Sequence, residues 1–159
     1  MPGSGKSTIG KSLASEIDHA FIDLDAEIEA KEGATIEAIF ELKGEAHFRQ
    51  IEAQALTNVS EKEGDYVIAT GGGTPCFYSG LALMQNTGIT VFINVAPEVL
   101  ISRLKSDTQR PLLKGGVEIK IQELNTERIG IYSKAEIVIE ASQISKQEVI
   151  DLIKKKISY

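Results

Sequence analysis

The amino terminus carries a phosphate-binding loop, and this feature constrains the fold more than any other part of the sequence. Residues Met1–Ser7 match the last seven positions of the motif G-x-x-x-x-G-K-[ST]. Glycines let such a loop turn so that successive N–H groups converge on an anion, and the helix that follows adds partial positive charge. Apolar residues at Ile9, Leu13 and Ile17 predict that helix. We therefore expect a nucleotide's phosphates to bind Gly3, Ser4, Gly5, Lys6, Ser7 and Thr8.

The first glycine of that motif and the strand that normally leads into it have no counterpart in the sequence. In folds with this loop the preceding strand is central, and a parallel sheet without it would leave backbone groups unpaired. A buried strand needs about five residues and a short lead-in. We therefore expect the natural protein to begin about ten residues before Met1.

Short apolar runs alternate with helical periodicity along the chain. Strands are predicted at residues 20–24, 65–70, 90–95 and 136–140, and helices at 6–17, 25–31, 35–42, 44–62, 97–106, 116–132 and 146–157. Such alternation indicates an α/β fold with a mainly parallel sheet, in which ligands bind beyond the carboxyl ends of the strands. The 159 residues contain no repeat and no proline-rich linker, so we expect one domain over residues 1–159.

Composition excludes several classes of partner and location. The net charge of −6 argues against a nucleic-acid surface, because phosphate backbones require clustered lysine and arginine. No apolar run approaches the roughly 20 residues of a membrane-spanning helix, so we expect no membrane partner. The single cysteine, Cys76, cannot form an internal disulfide, which favours a cytoplasmic location.

Two strand ends carry the residue types of a binding site. After the first predicted strand, Asp23 and Asp25 alternate with Leu24, which predicts both carboxylates on one side, where they could serve a metal and a substrate hydroxyl. The alternative is a helix N-cap. After the second, Gly71–Gly73 would let the backbone approach a ligand closely; an ordinary tight turn is the alternative, but a turn seldom needs three glycines. No aspartate ends that strand, so Asp23 is the expected metal carboxylate.

Arginine is scarce, since only four of the 17 basic residues are arginines. Arginine is favoured over lysine where a planar fork must grip a carboxylate or phosphate. We therefore predict anion-binding roles for these four, against the alternative of ordinary surface ion pairs. They are Arg49, Arg103, Arg110 and Arg128.

In combination these segments resemble the shikimate kinase family. The sequences G-S-G-K-S-T, F-I-D-L-D, F-R-Q-I-E, T-G-G-G, R-P-L-L and R-I-G-I-Y-S-K-A occur in the family's order and spacing over the whole chain. Single motifs are shared with other small kinases, but the combination of D-L-D, F-R-x-x-E, G-G-G and R-P-L is specific.

The resemblance implies transfer of the γ-phosphoryl group of ATP, with Mg²⁺, to the 3-hydroxyl of shikimate. This reaction is a step towards chorismate and the aromatic amino acids. The implied fold is a three-layer P-loop kinase fold with strand order 2-3-1-4-5, its first central strand missing from this chain. Residues 25–64 would bind shikimate, residues 110–120 would form a lid, and the protein would be a monomer.

The resemblance also assigns roles to single residues. Lys6 and the backbone of Gly3–Thr8 would hold ATP phosphates, Ser7 would bind Mg²⁺, and Asp23 would hold a metal-bound water. Asp25 would act as base or orienter for the attacking hydroxyl. Arg49 and Arg128 would bind the shikimate carboxylate, and Glu52 would orient Arg49. Gly71, Gly72 and Gly73 would contact the hydroxyl side of shikimate, and Phe40 and Phe48 would line its pocket. Arg110 would approach the γ-phosphate with the lid, and Arg103 would lie against the adenine.

Three other classes of function compete with this interpretation. A small-metabolite kinase of the gluconate kinase type would lack the Arg49 and Arg128 pair and the glycine run. A GTP-dependent switch requires D-x-x-G and N-K-x-D, and neither string occurs. An inactive ATP-binding relic is the third possibility, because of the shortened motif at the amino terminus.

Overall fold

The computed structural model describes residues 1–106 and 116–157. The helices are α1 (Lys6–Glu16), α2 (Leu24–Glu32), α3 (Ile36–Ser60), α4 (Gly80–Thr87), α5 (Pro97–Ser106), α6 (Val117–Tyr132) and α7 (Lys146–Ile157), and a short 3₁₀ helix covers Thr74–Cys76. The strands are β1 (Ala20–Asp23), β2 (Tyr66–Ala69), β3 (Val91–Asn94) and β4 (Ile137–Glu140). All four predicted strands are confirmed, each slightly shorter than expected.

The predicted helices are confirmed, with two differences of detail. The helices expected at 35–42 and 44–62 form α3, which is kinked at Gly44, where φ is 79° and ψ is 170°. Helix α4 was not predicted. It begins with Gly80 and is eight residues long, and Ser79 before it makes no side-chain cap although serine is a residue type that favours a helix start.

The chain divides into two compact units, one comprising Met1–Ile9 with Ile89–Tyr159 and the other Gly10–Gly88. In the Gly10–Gly88 unit, β1 pairs in parallel with β2. In the other unit, β3 pairs in parallel with β4. The expected order counts the missing strand as strand 1, so β1 to β4 correspond to its strands 2 to 5. The two pairs are therefore its neighbours 2-3 and 4-5. The described residues form two two-stranded sheets, because they contain no counterpart of the strand that this order places between 3 and 4.

Capping residues determine where α2 and α3 begin, and both helices carry candidate site residues. Asp23 ends β1 and caps α2, Gly33 ends α2 in the left-handed conformation with φ of 65°, and Thr35 caps α3 by accepting from the amide of Ala38. Glycine at the helix end and Thr or Asp at the start are the residues these backbone conformations favour.

The core of the Gly10–Gly88 unit packs one face of α2 and α3 against β1. Burial of each large aliphatic side chain stabilises the fold by about 1.5–3 kcal/mol. This apolar core fixes the positions of α2 and α3, the helices that carry candidate site residues. Its buried members are Ile22, Leu24, Ile28, Ile39, Phe48, Ala55, Leu56 and Val59.

The unit formed by Met1–Ile9 and Ile89–Tyr159 packs α5 on α6 and α7 on β4. Ser145 and Glu148 form a reciprocal capping box at the start of α7, with bonds of 2.7 and 3.2 Å. The bonds from Ser145 lower the pKa of the Glu148 carboxyl. No helix within residues 1–106 and 116–157 combines the length and apolar character that crossing a membrane requires.

Candidate active site

The phosphate-binding loop has the backbone turn that its motif predicts. Gly3 and Gly5 have φ of 74° and 83°, a region that glycine adopts without steric cost. A β-carbon on Gly3 would lie 3.2 Å from Cγ of Leu104. Helix α1 then begins at Lys6, and the amide of Ile9 donates to the carbonyl of Gly5 at 2.9 Å. The loop therefore leads directly into a helix N-terminus, as an anion site requires.

Side chains of the loop and of α5 donate hydrogen bonds to backbone carbonyl groups of the loop. Nζ of Lys6 and Oγ of Ser4 donate to the carbonyl of Met1 at 3.0 and 2.9 Å. Arg103, on α5, donates to the carbonyl of Gly3 at 3.3 Å. The guanidinium of Arg103 thus lies against the loop. The role expected for it at the adenine stays a prediction.

The prediction that Asp23 and Asp25 share one side of a strand is wrong. Strand β1 ends at Asp23, and Asp25 lies in the first turn of α2. Oδ1 of Asp23 accepts from the amides of Asp25 and Ala26 at 3.1 and 3.5 Å, so Asp23 is the helix N-cap. Capping satisfies amides that would otherwise lack a partner, and this stops the extended backbone one residue before the alternation could continue.

Arg49 and Glu52 form a buried ion pair on α3. Nη1 of Arg49 donates to Oε2 of Glu52 at 2.8 Å, and the side chains are 10% and 2% exposed. Oγ1 of Thr74 donates to Oε1 of the same carboxylate at 2.7 Å. Both carboxylate oxygens of Glu52 are therefore satisfied, which a buried charge requires.

Three aromatic rings surround the guanidinium of Arg49. Its Cζ lies 4.4 Å from the ring centroid of Phe77, 5.2 Å from that of Phe48 and 5.8 Å from that of Phe40. Phe40 and Phe48 also contact each other, with centroids 4.5 Å apart. These distances are within the range of cation–π attraction, so the rings hold the cation in one place without using its donors.

The glycine run lies directly against the charged residues. A β-carbon on Gly71 would lie 2.6 Å from Oε1 of Glu52 and 3.1 Å from Oδ1 of Asp25, and one on Gly73 would lie 2.5 Å from Cζ of Arg49. A side chain at either position would therefore collide with the site. The glycines let the backbone approach Asp25, Glu52 and Arg49.

The predicted residues are distributed over both units. The Gly10–Gly88 unit contains Asp23, Asp25, Phe40, Phe48, Arg49, Glu52 and Gly71–Gly73, whereas the other unit contains Gly3–Thr8, Arg103 and Arg128. Arg128 is half-buried on α6. Arg110 lies outside the described residues, as do positions 111–115 of the expected lid, while Val117–Lys120 form the start of α6.

The donors expected for Mg²⁺ are the hydroxyl of Ser7 and the carboxylate of Asp23. Among residues 1–106 and 116–157, no group of three or more His, Cys, Asp or Glu side chains could hold a metal. Mg²⁺ prefers oxygen and is commonly bound through one or two protein ligands together with substrate phosphates and waters. A hydroxyl and a carboxylate are oxygen donors of the kind that this ion accepts, and the role of Ser7 and Asp23 in binding it stays a prediction.

Three residues that contact Arg49 or its partner Glu52 were not predicted from the sequence: Glu45, Thr74 and Phe77. Glu45 lies one helical turn before Arg49 and could have been found from the i,i+4 spacing of opposite charges. Thr74 and Phe77 are separated from Arg49 by more than 20 positions, and no local pattern connects them to it.

Comparison with known proteins gives a consistent result. The family model described as "Shikimate kinase" matches residues 2–158. A shikimate kinase of Sulfurihydrogenibium sp. is 41% identical, and the match covers 98% of this chain and 92% of the relative. A shikimate kinase of Aquifex aeolicus is also 41% identical, and that match covers 94% of this chain and 88% of the relative.

Solved structures agree with these relatives. The crystal structure of shikimate kinase from Bacteroides thetaiotaomicron has a TM-score of 0.90 at 35% identity, covering 97% of this chain and 92% of that one. The enzyme from Acinetobacter baumannii, solved in complex with shikimate, has a TM-score of 0.91 at 34% identity, covering 98% and 88%.

Proposed function

The chain belongs to the shikimate kinase family and phosphorylates shikimate with ATP, and we propose that the residues around Arg49 bind the shikimate. The product is shikimate 3-phosphate, an intermediate towards the aromatic amino acids. The observation that carries the assignment of the site is the guanidinium of Arg49, which is held by buried Glu52 and bordered by three aromatic rings. A planar fork held in this way suits a carboxylate ligand.

The shikimate carboxylate would be bound by Arg49 together with Arg128. The ring of shikimate would lie against Phe40 and Phe48, and backbone groups of Gly71–Gly73 would contact its hydroxyl side. The close approach of this glycine backbone to Asp25 and Glu52 supports the last assignment. Glu52 would keep Arg49 oriented for its ligand, since it holds Nη1 from a buried position.

Asp25 would accept a hydrogen bond from the attacking hydroxyl, as base or orienter. Oδ1 of Asp25 lies 3.1 Å from the position that a β-carbon on Gly71 would occupy. This supports a place for Asp25 beside the hydroxyl groups of bound shikimate. Phosphoryl transfer depends mainly on positioning and on charge stabilisation, so one well-placed carboxylate is sufficient for this task.

Gly3–Thr8 would hold the phosphates of ATP, with Lys6 at the β- and γ-phosphates. Arg103 would lie at the adenine, and Arg110 would meet the γ-phosphate from the lid. Ser7 and, through water, Asp23 would hold Mg²⁺, which when bound neutralises charge on the phosphate oxygens. Closure of the lid over residues 110–120 would exclude water as a competing acceptor.

We also propose that the enzyme works as a monomer in the cytoplasm. The single cysteine is consistent with a reducing compartment.

The test is a coupled assay of ADP release with and without shikimate, applied to the wild type and to Asp25→Asn. Release that depends on shikimate separates an active kinase from an ATP-binding relic. We expect Asp25→Asn to bind ATP normally and to turn over at least ~10²-fold more slowly. The control is Asp18→Asn, because Asp18 is exposed and has φ of 57°, a conformation that asparagine tolerates. Near-normal turnover of Asp25→Asn would refute the role of Asp25.

A further inference from the structure

We propose that Glu45 is an exchangeable partner of Arg49, which occupies the guanidinium until the carboxylate of shikimate replaces it. Glu45 thereby sets the affinity of the enzyme for shikimate. This inference rests on the proposed role of Arg49 in binding that carboxylate.

The contact between Glu45 and Arg49 has the geometry of a bound carboxylate ligand. Oε1 of Glu45 accepts from Nε of Arg49 at 3.2 Å and from Nη2 at 2.9 Å. These two nitrogens form one of the forks by which arginine grips carboxylates. A substrate carboxylate that uses this fork must displace Glu45.

The two carboxylates on Arg49 differ in how firmly they are held. Glu52 is 2% exposed and has a second partner in Thr74, so its removal would leave buried polar groups unsatisfied. Glu45 is 59% exposed, and among the described residues its hydrogen-bond partner is Arg49. Water can solvate Glu45 as soon as it leaves, and exposed ion pairs at this spacing contribute little. Glu52 is therefore the permanent partner and Glu45 the exchangeable one.

The local charge supports the same conclusion. One cation lies between two carboxylates, so the cluster of Glu45, Arg49 and Glu52 has an excess of negative charge. Such a cluster repels an approaching anion until one carboxylate moves away. The Phe77 ring contacts the guanidinium at 4.4 Å, and acceptors approach a guanidinium in its plane, where both glutamates already lie. The shikimate carboxylate and Glu45 therefore compete for the same N–H donors of Arg49.

The experiment measures shikimate binding by calorimetry, at low and high salt, for the wild type and for Glu45→Gln. We expect Glu45→Gln to lower the Kd for shikimate by about 3- to 10-fold, because a competing acceptor and a like charge are removed. The difference should shrink at high ionic strength, since Glu45 is exposed and its charge is screened. Glu41→Gln is the matched control: Glu41 is exposed four residues before Glu45, on the other side of the kink at Gly44, and loses the same charge. Its Kd should stay within twofold of the wild-type value.

Arg49→Lys, measured in parallel, separates this inference from the proposed function. If Arg49→Lys leaves the Kd unchanged, the role of Arg49 in binding shikimate is wrong. If Arg49→Lys raises the Kd while Glu45→Gln raises it or leaves it unchanged, Arg49 binds shikimate but Glu45 does not exchange. A higher Kd in Glu45→Gln would mean that Glu45 stays in place and positions Arg49, which overturns the proposal.

Discussion

Substitution of Gly73 by alanine tests whether the glycine run makes room for Arg49. Gly73 has φ of −83° and ψ of −24°, a conformation that alanine adopts readily, so the backbone itself does not require glycine. A β-carbon there would lie 2.5 Å from Cζ of Arg49, whereas ordinary contacts begin near 3.4 Å. Nη1 of Arg49 would lie nearer still, so the guanidinium must move by more than about 0.9 Å, the difference between the two Cζ distances.

The size of the effect follows from the bond that this movement breaks. Nη1 of Arg49 lies 2.8 Å from Oε2 of Glu52, and a displacement of about 0.9 Å would take it beyond hydrogen-bond distance. A hydrogen bond to a charged group contributes about 1.5–3 kcal/mol. Since 1.4 kcal/mol corresponds to a tenfold change, we expect Gly73→Ala to raise the KM for shikimate by about 10- to 150-fold.

The assay is the coupled measurement of ADP release at saturating ATP, with shikimate as the varied substrate. The KM for ATP should stay within about twofold of the wild-type value, because Gly73 and Arg49 belong to the Gly10–Gly88 unit whereas residues Gly3–Ile9 of the phosphate-binding loop and α1 belong to the other unit. Gly88→Ala is the control, since Gly88 has extended backbone with φ of −177° and a β-carbon there would meet nothing within 4 Å. A Gly73→Ala protein that melts normally and keeps the wild-type KM for shikimate would refute the reasoning.

Two further predictions concern Thr74 and Gly130. Thr74→Val removes the donor to Oε1 of buried Glu52 without changing the shape of the side chain, so the KM for shikimate should rise about 5- to 20-fold with kcat largely kept. Thr74→Ser should restore the KM in the same assay, and failure of this rescue would contradict a role for the hydroxyl. Gly130→Ala should raise the free energy of unfolding by about 0.5–1 kcal/mol in urea titrations, because Gly130 is exposed in α6 with open space around it. A loss of stability would show that the helix needs glycine there.

Much of the secondary structure could be predicted because its causes are local. Helix α1 follows the loop glycines, α2 ends at Gly33, and α3 begins after Thr35, and each of these signals acts within about four residues. The same locality made the Arg49–Glu52 pair predictable from its i,i+3 spacing. Helix α4 was missed although Ser79 and Gly88, residue types that commonly flank helices, stand at its two ends.

The error at Asp23 and Asp25 shows where local reasoning fails. The alternation rule assumes that the strand continues through both residues, but the N-cap made by Asp23 starts α2 at Leu24. Both the strand and the cap are consistent with the sequence D-L-D. The packing of Leu24 and Ile28 in the core favours the helix.

Residue types along the chain were sufficient to identify the phosphate-binding loop, the order of the strands and of all helices except α4, and membership of the shikimate kinase family. These properties depend on residue types at short spacings, which can be read along the chain. The packing of the folded chain was needed to establish that Thr74 completes the partners of Glu52, that Phe77 covers the guanidinium of Arg49, and that Gly71 and Gly73 lie against the charged residues. The contacts of Gly73, Thr74 and Phe77 join α3 to residues more than 20 positions later in the chain. Their geometry depends on how the helices and strands pack, which no local pattern encodes.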